Sequence, residues 1–215
     1  MKLYSYFRSS TSYRVRVALN LKGLSYQTLP VDLLAGEQAG DVYTQINAFN
    51  AVPTLEMDGA TYVQSLAIID ALEDKYPEPS LYPSKPALLQ ACRELSFAIA
   101  SEIHALNNLR VLKYLRRQLG LEQGQIAQWY ATWVRRTLIP VEARLEAMWS
   151  DTILPFGDAP SLFEIVLIPQ LYNARRFDVD LSDLPTLLRV EEHCLAISAF
   201  KKAHPDQQPD APKDQ

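Results

Sequence analysis

Apolar and polar positions alternate over short distances in the first eighty residues, and the period of the alternation changes from segment to segment. Leu3 to Phe7 is a short apolar run and reads as a strand. Four hydroxyl residues follow, Ser9-Ser10-Thr11-Ser12, then Val15, Ala18 and Lys22 at helical spacing, with Gly23 as a stop. Arg14-Val15-Arg16-Val17 also alternates as a strand does, but hydroxyl caps and a terminal glycine agree on a helix. Tyr26 to Val31 alternates as a second strand. A polar stretch, Ala35 to Asp41, leads into a short helix ending near Asn47. Two short strands flank Asp58-Gly59, a pair suited to tight primed turns, and predict a hairpin. Ser65 then stands where it can cap a helix reaching about Tyr76 through Ile68, Ile69 and Leu72.

The resulting order is strand, helix, strand, helix, strand, strand, helix, which is that of a thioredoxin-like domain. Pro77, Pro79, Pro83 and Pro86 then read as a linker without regular structure. Beyond it the pattern is helical. Ala87 to Leu119 predicts one long amphipathic helix, and Gln123 to Trp149 another that Pro140 should kink or interrupt. Ser161-Leu162-Phe163-Glu164 is a capping box opening a helix to about Arg176, and Leu184 to Ala199 offers one more. From Pro205 the chain is polar and proline-rich, which predicts disorder. The expected organisation is α/β plus all-α: a thioredoxin-like domain over 1–79, a helical domain over 86–204, and a disordered tail over 205–215.

Composition narrows the partners. With 48% hydrophobic and 21% charged residues the chain is ordinary for a globular protein, and a net charge of −4 argues against nucleic acid or an anionic membrane as partner. An anionic ligand must then be met by a local basic cluster. The start lacks the apolar stretch of a secretory signal, no apolar run approaches bilayer length, and nothing calls for a metal. Cys92 and Cys194 form neither a C-x-x-C motif nor a disulfide framework, so a reducing cytoplasm is expected.

Three stretches carry chemistry. A helix beginning in the hydroxyl cluster presents partial positive charge and free N–H donors, which suit a thiolate; the plainer reading is a polar cap. In a thioredoxin-like order Val52-Pro53, just before the third strand, is expected to be cis and to expose backbone groups of Val52 to a peptide ligand. Ser65 can cap a helix or receive a ligand carboxylate, and Gln64 adds an amide.

Arg8 through Leu19 resembles the signature of the zeta-class glutathione transferases, the maleylacetoacetate isomerases. Val52 to Leu55, Gln64 to Ile69, His104 to Arg110 and Pro169 to Phe177 are similar to further blocks of that family, and the likeness extends from residue 1 to about 212. It implies a glutathione transferase fold, a homodimer, and glutathione bound by Val52, Pro53, Gln64 and Ser65. Ser9, Ser10 and Thr11 are implied to surround its sulfur, with Ser9 foremost. The family's commonest pattern has Cys at the position of Thr11, so no protein thiol is available there and the nucleophile is the sulfur of glutathione. The implied reaction is cis–trans isomerisation of an activated double bond in a small dicarboxylate. Arg8, Arg110 and Arg176 are candidates for the substrate carboxylates, since guanidinium pairs with carboxylate through two donors. His104 and Asn108, one turn apart, are candidates for lining the site. Maleylpyruvate isomerase is the nearest rival, and a non-catalytic glutathione-binding carrier is another. A disulfide reductase is excluded, because no cysteine lies near the first helix.

Overall fold

A four-stranded sheet grows from the alternating segments. Its elements are β1 (Lys2–Ser5), α1 (Ser10–Leu21), β2 (Gln27–Pro30), α2 (Asp41–Ile46), β3 (Thr54–Met57), β4 (Ala60–Val63) and α3 (Ser65–Lys75). The strand order is β2-β1-β3-β4, with β1 parallel to β2 and the other pairs antiparallel. A parallel pair needs a crossover, and α1 supplies it. The β3–β4 turn has Asp58 and Gly59 at φ 52° and 79°, the primed geometry that their residue types favour. The computed structural model describes residues 1–149 and 151–212.

These residues form two compact units, Met1–Leu81 with the segment from Leu195 onward, and Tyr82–Cys194. The second unit is helical: α4 (Pro86–Ala98), a π-type turn Ile99–His104, α5 (Leu109–Arg117), α6 (Gln123–Met148), α7 (Leu162–Arg176) and α8 (Pro185–Ala196). No helix among the described residues is long and apolar enough to cross a membrane.

Several expectations need correction. The single helix over 87–119 is broken, because Asn108 caps a new helix by accepting from Arg110 N (3.1 Å) while Asn107 Nδ2 reaches Tyr130 O (3.2 Å). Pro140 does not interrupt α6; Val134, Leu138, Val141 and Leu145 are buried on both sides of it, so tertiary packing carries the helix past the missing hydrogen bond. The helix expected over 184–199 divides at Ile197, and α9 (Ser198–Ala203) follows. Ser65 is the first residue of α3 and Gln64 occupies the capping position.

The largest correction concerns the chain's end. α9 packs on α1, with Asn20 Nδ2 donating to Ala199 O (3.0 Å). Pro205–Gln207 forms a 3₁₀ turn, Gln208 Nε2 donates to Lys202 O (2.9 Å) and His204 O (2.8 Å), and Phe7 N donates to Asp210 Oδ2 (2.8 Å). The segment from Leu195 therefore belongs with the sheet, and 205–212 is ordered because its polar side chains satisfy backbone groups. Residues 213–215 of the expected tail lie outside the described residues.

The capping box is present as the sequence implies: Ser161 N and Ser161 Oγ both donate to Glu164 Oε2 at 2.7 Å. Glu164 is fully buried, and burial pushes its pKa up to about 7. The folded protein thus holds a proton that an unfolded carboxyl releases near 4.5. This contribution to stability is complete below that value and is lost as pH rises toward 7, by at most about 1.4 kcal/mol per pH unit. Urea titrations of wild type and Glu164→Gln between these pH values should diverge with that slope; parallel curves would show that Glu164 keeps an ordinary pKa.

Candidate functional site

Serine at position 9 caps α1: its Oγ accepts from Ser12 N at 3.2 Å. Helix geometry leaves first-turn N–H groups without intrahelical acceptors, and the macrodipole adds positive character there. Thr11 Oγ1 donates to Val52 O at 3.0 Å and lies 2.9 Å from Ser9 Oγ. A hydroxyl has one proton, and that of Thr11 goes to Val52, so Ser9 is the donor in the Ser9–Thr11 bond. Ser9 and Thr11 are half-buried and reachable, whereas Ser10 is 3% exposed. The hydroxyl pair on the accessible side is therefore Ser9 and Thr11.

The Val52-Pro53 peptide is cis, as expected from the fold order. The Val52 side chain sits in an apolar cluster with Tyr6, Phe7, Val31 and Tyr43, and its carbonyl is engaged by Thr11. The loop is held from α2: Tyr43 Oη and Asn47 Nδ2 both donate to Ala51 O, at 2.8 and 2.7 Å. A buried tyrosine and an asparagine at a helix end carry no sequence signal of that task.

Gln64 is exposed and has φ 68°. Of the positive-φ non-glycine residues, Asn50, Asp58 and Asp178 are types that tolerate this region, and Gln64 is not. Such a backbone costs on the order of 1–3 kcal/mol and tends to mark a site where geometry matters. Next to it Ser65 Oγ accepts from Arg14 Nη1 at 3.4 Å. Thr11 and Arg14 lie one turn apart on α1, so a single helix ties together the hydroxyl cap, the Val52 loop and the start of α3. Arg8 lies over the Phe7 ring, 4.8 Å from its centroid.

In the helical unit His104, Asn108 and Arg110 gather at the break between α4 and α5. Asn108 Nδ2 lies 3.3 Å from His104 Nε2 while its Oδ1 accepts from Arg110 N, so the imidazole nitrogen is the acceptor. The Arg110 side chain is exposed. Arg176, at the end of α7, donates to Asn173 Oδ1 (3.1 Å) and lies over Phe177, which stacks on Tyr130 at 3.8 Å. Burial pushes the Tyr130 hydroxyl up to about 12, so it stays protonated. Asn107 joins Tyr130 to the His104–Arg110 turn through its bond to Tyr130 O. Both cysteines are buried, and burial pushes the Cys92 thiol up to about 11, so neither is poised as a nucleophile.

A thioredoxin-like unit with a hydroxyl-capped α1, followed by a helical unit, is the architecture of the glutathione transferases, and a model of the glutathione S-transferase N-terminal domain matches residues 3–80. The maleylacetoacetate isomerase of Pseudomonas aeruginosa is 44% identical over 99% of each chain. The maleylpyruvate isomerase of a Ralstonia species is 39% identical over 98% of this chain and 100% of its own. A solved holo maleylpyruvate isomerase of the zeta class superposes with a TM-score of 0.96 at 39% identity, covering 99% of this chain and 100% of that one. The maleylacetoacetate isomerase of Methylobacterium extorquens AM1, solved with malonate and glutathione bound, superposes at 0.94 with 34% identity and the same coverage. The chain belongs to the zeta class of glutathione transferases, the family of the maleylacetoacetate and maleylpyruvate isomerases.

Proposed function

We propose that this protein is a glutathione-dependent cis–trans isomerase that converts maleylacetoacetate to fumarylacetoacetate. The observation that carries the reading is the Ser9–Thr11–Val52 chain of hydrogen bonds at the cap of α1, in a protein whose full-length relatives bear isomerase names. The donor set fits glutathione: reachable hydroxyls at a positive helix end for a sulfur, and a start of α3 backed by a buried guanidinium for a carboxylate. When bound, glutathione supplies a thiolate that adds to the conjugated cis double bond, allows rotation about it, and leaves again as the trans bond forms.

The protein's own contribution is electrostatic. Ser9 turns its proton from Thr11 toward the sulfur, and the α1 dipole favours the ionised form, as helix ends do for thiolates. Val52 and Gln64 present backbone and amide groups to the peptide, with Pro53 setting the loop. Arg8, Arg110 and Arg176 are assigned to the carboxylates of the substrate, and His104 and Asn108 to its polar surroundings; the exposure of Arg110 and Arg176 leaves both available. Malonate and glutathione bound to the Methylobacterium relative support a dicarboxylate substrate. A cytoplasmic homodimer belongs to the same reading and rests on the family resemblance.

Parallel kinetics with maleylacetoacetate and maleylpyruvate, at equal enzyme with and without glutathione, test this. Turnover is expected only with glutathione, with the higher kcat/KM for maleylacetoacetate. A higher value for maleylpyruvate assigns the rival reaction, and absence of turnover on both leaves a glutathione-binding carrier.

A further inference from the structure

Two arginines enter the core on α1, and their surroundings differ sharply. Arg16 is fully buried and spends its donors on Ala203 O (3.0 Å), Ser5 Oγ (3.0 Å) and Phe7 O (3.0 Å). Arg14 is 1% exposed, and among the described residues its side chain makes one hydrogen bond, from Nη1 to Ser65 Oγ at 3.4 Å. Its Nε and Nη2 are buried and have no hydrogen-bond partner among the described residues. A guanidinium kept this way is costly, because a buried charge requires an opposite charge or a full set of acceptors. Desolvation in this site lowers its pKa to about 10. A residue serving packing alone would be satisfied as Arg16 is, or replaced by an apolar side chain.

What Arg14 touches explains the arrangement. Ser65 is the first residue of α3, an eleven-residue helix whose N–H groups and dipole favour an anion there. By donating to Ser65 Oγ, Arg14 occupies a lone pair and leaves the Ser65 O–H free to donate outward. An anion beside Ser65 would also supply the counter-charge that the guanidinium lacks.

We propose that Arg14 is a positioning residue for a ligand carboxylate at the start of α3, orienting the Ser65 hydroxyl and holding a buried positive charge behind it. This rests on the glutathione reading, and glutathione carries two carboxylates, at its γ-glutamyl and glycyl ends. Calorimetric titration of wild type and Arg14→Met with glutathione, and with two analogues each lacking one carboxylate, tests the assignment. Arg14→Met is expected to weaken glutathione binding roughly tenfold to a hundredfold, the worth of a charge-assisted hydrogen bond. That penalty should nearly vanish with one of the two analogues, which identifies the carboxylate concerned. A penalty equal for all three ligands, or none for glutathione, overturns the proposal while leaving the glutathione reading standing. Failure of wild type to bind glutathione removes both.

Should Arg14→Met not fold, the wild-type protein labelled with ¹⁵N-arginine carries the test. The Arg14 Nε–H resonance, assigned through its displacement in Ser65→Ala, is expected to shift on adding glutathione and to stay in place with the analogue lacking the critical carboxylate. An unmoved resonance with glutathione, or equal shifts with all three ligands, overturns the proposal.

Discussion

Replacing Ser9 with alanine lowers isomerase turnover by on the order of a hundredfold, while glutathione affinity changes by only a few-fold. The expectation follows from two tasks met in one side chain. As a cap, Ser9 satisfies the N–H of Ser12, and losing that costs about 1 kcal/mol of stability. As a donor, it is the hydroxyl whose proton is held by Thr11 and can be turned to a sulfur. Ser9→Gly separates these tasks, since glycine at the capping position costs only about a few tenths of a kcal/mol yet offers no side-chain donor. Steady-state kinetics and thermal melts of both variants give the answer: turnover low in both, stability lost only in Ser9→Ala. Wild-type turnover in Ser9→Gly would transfer the role to Thr11 or to backbone donors.

Arg16→Met should be the most destabilising of these changes, by about 3 kcal/mol. Removing the guanidinium leaves the carbonyls of Ala203 and Phe7 and the hydroxyl of Ser5 without their donor in a site closed to water. An unsatisfied buried acceptor costs about 1–3 kcal/mol, and the relief of no longer burying a charge offsets part of the sum. The loss also frees the β1–α1 loop, because Phe7 O is held by Arg16 while Phe7 N is held by Asp210. Urea unfolding monitored by far-UV circular dichroism reads the effect, and an unchanged midpoint would show that these bonds contribute nothing net.

Local chemistry was legible along the chain wherever its cause lies within a few residues. The hydroxyl cap, the Asp58-Gly59 hairpin and the Ser161–Glu164 box are set by neighbours along the backbone, and all three stand in the structure. Where partners come from far away, the pattern misled. The polar composition of 205–212 reads as disorder, yet Gln208 and Asp210 are there to satisfy Lys202, His204 and Phe7. An alternating Arg14-Val15-Arg16-Val17 gives no sign that both arginines are buried.

By itself, then, the sequence determined the order of elements through α3, the two-part architecture, the helix-capping hydroxyls and the family, because short-range periodicity and contiguous blocks carry that information. Only the tertiary structure decided that Thr11 holds Val52, that Arg14 stands behind Ser65, and that the chain's end returns to the sheet. Those contacts join residues separated by tens to hundreds of positions, and their existence depends on burial, which makes an unpaired polar group costly and so selects its partner from anywhere in the chain.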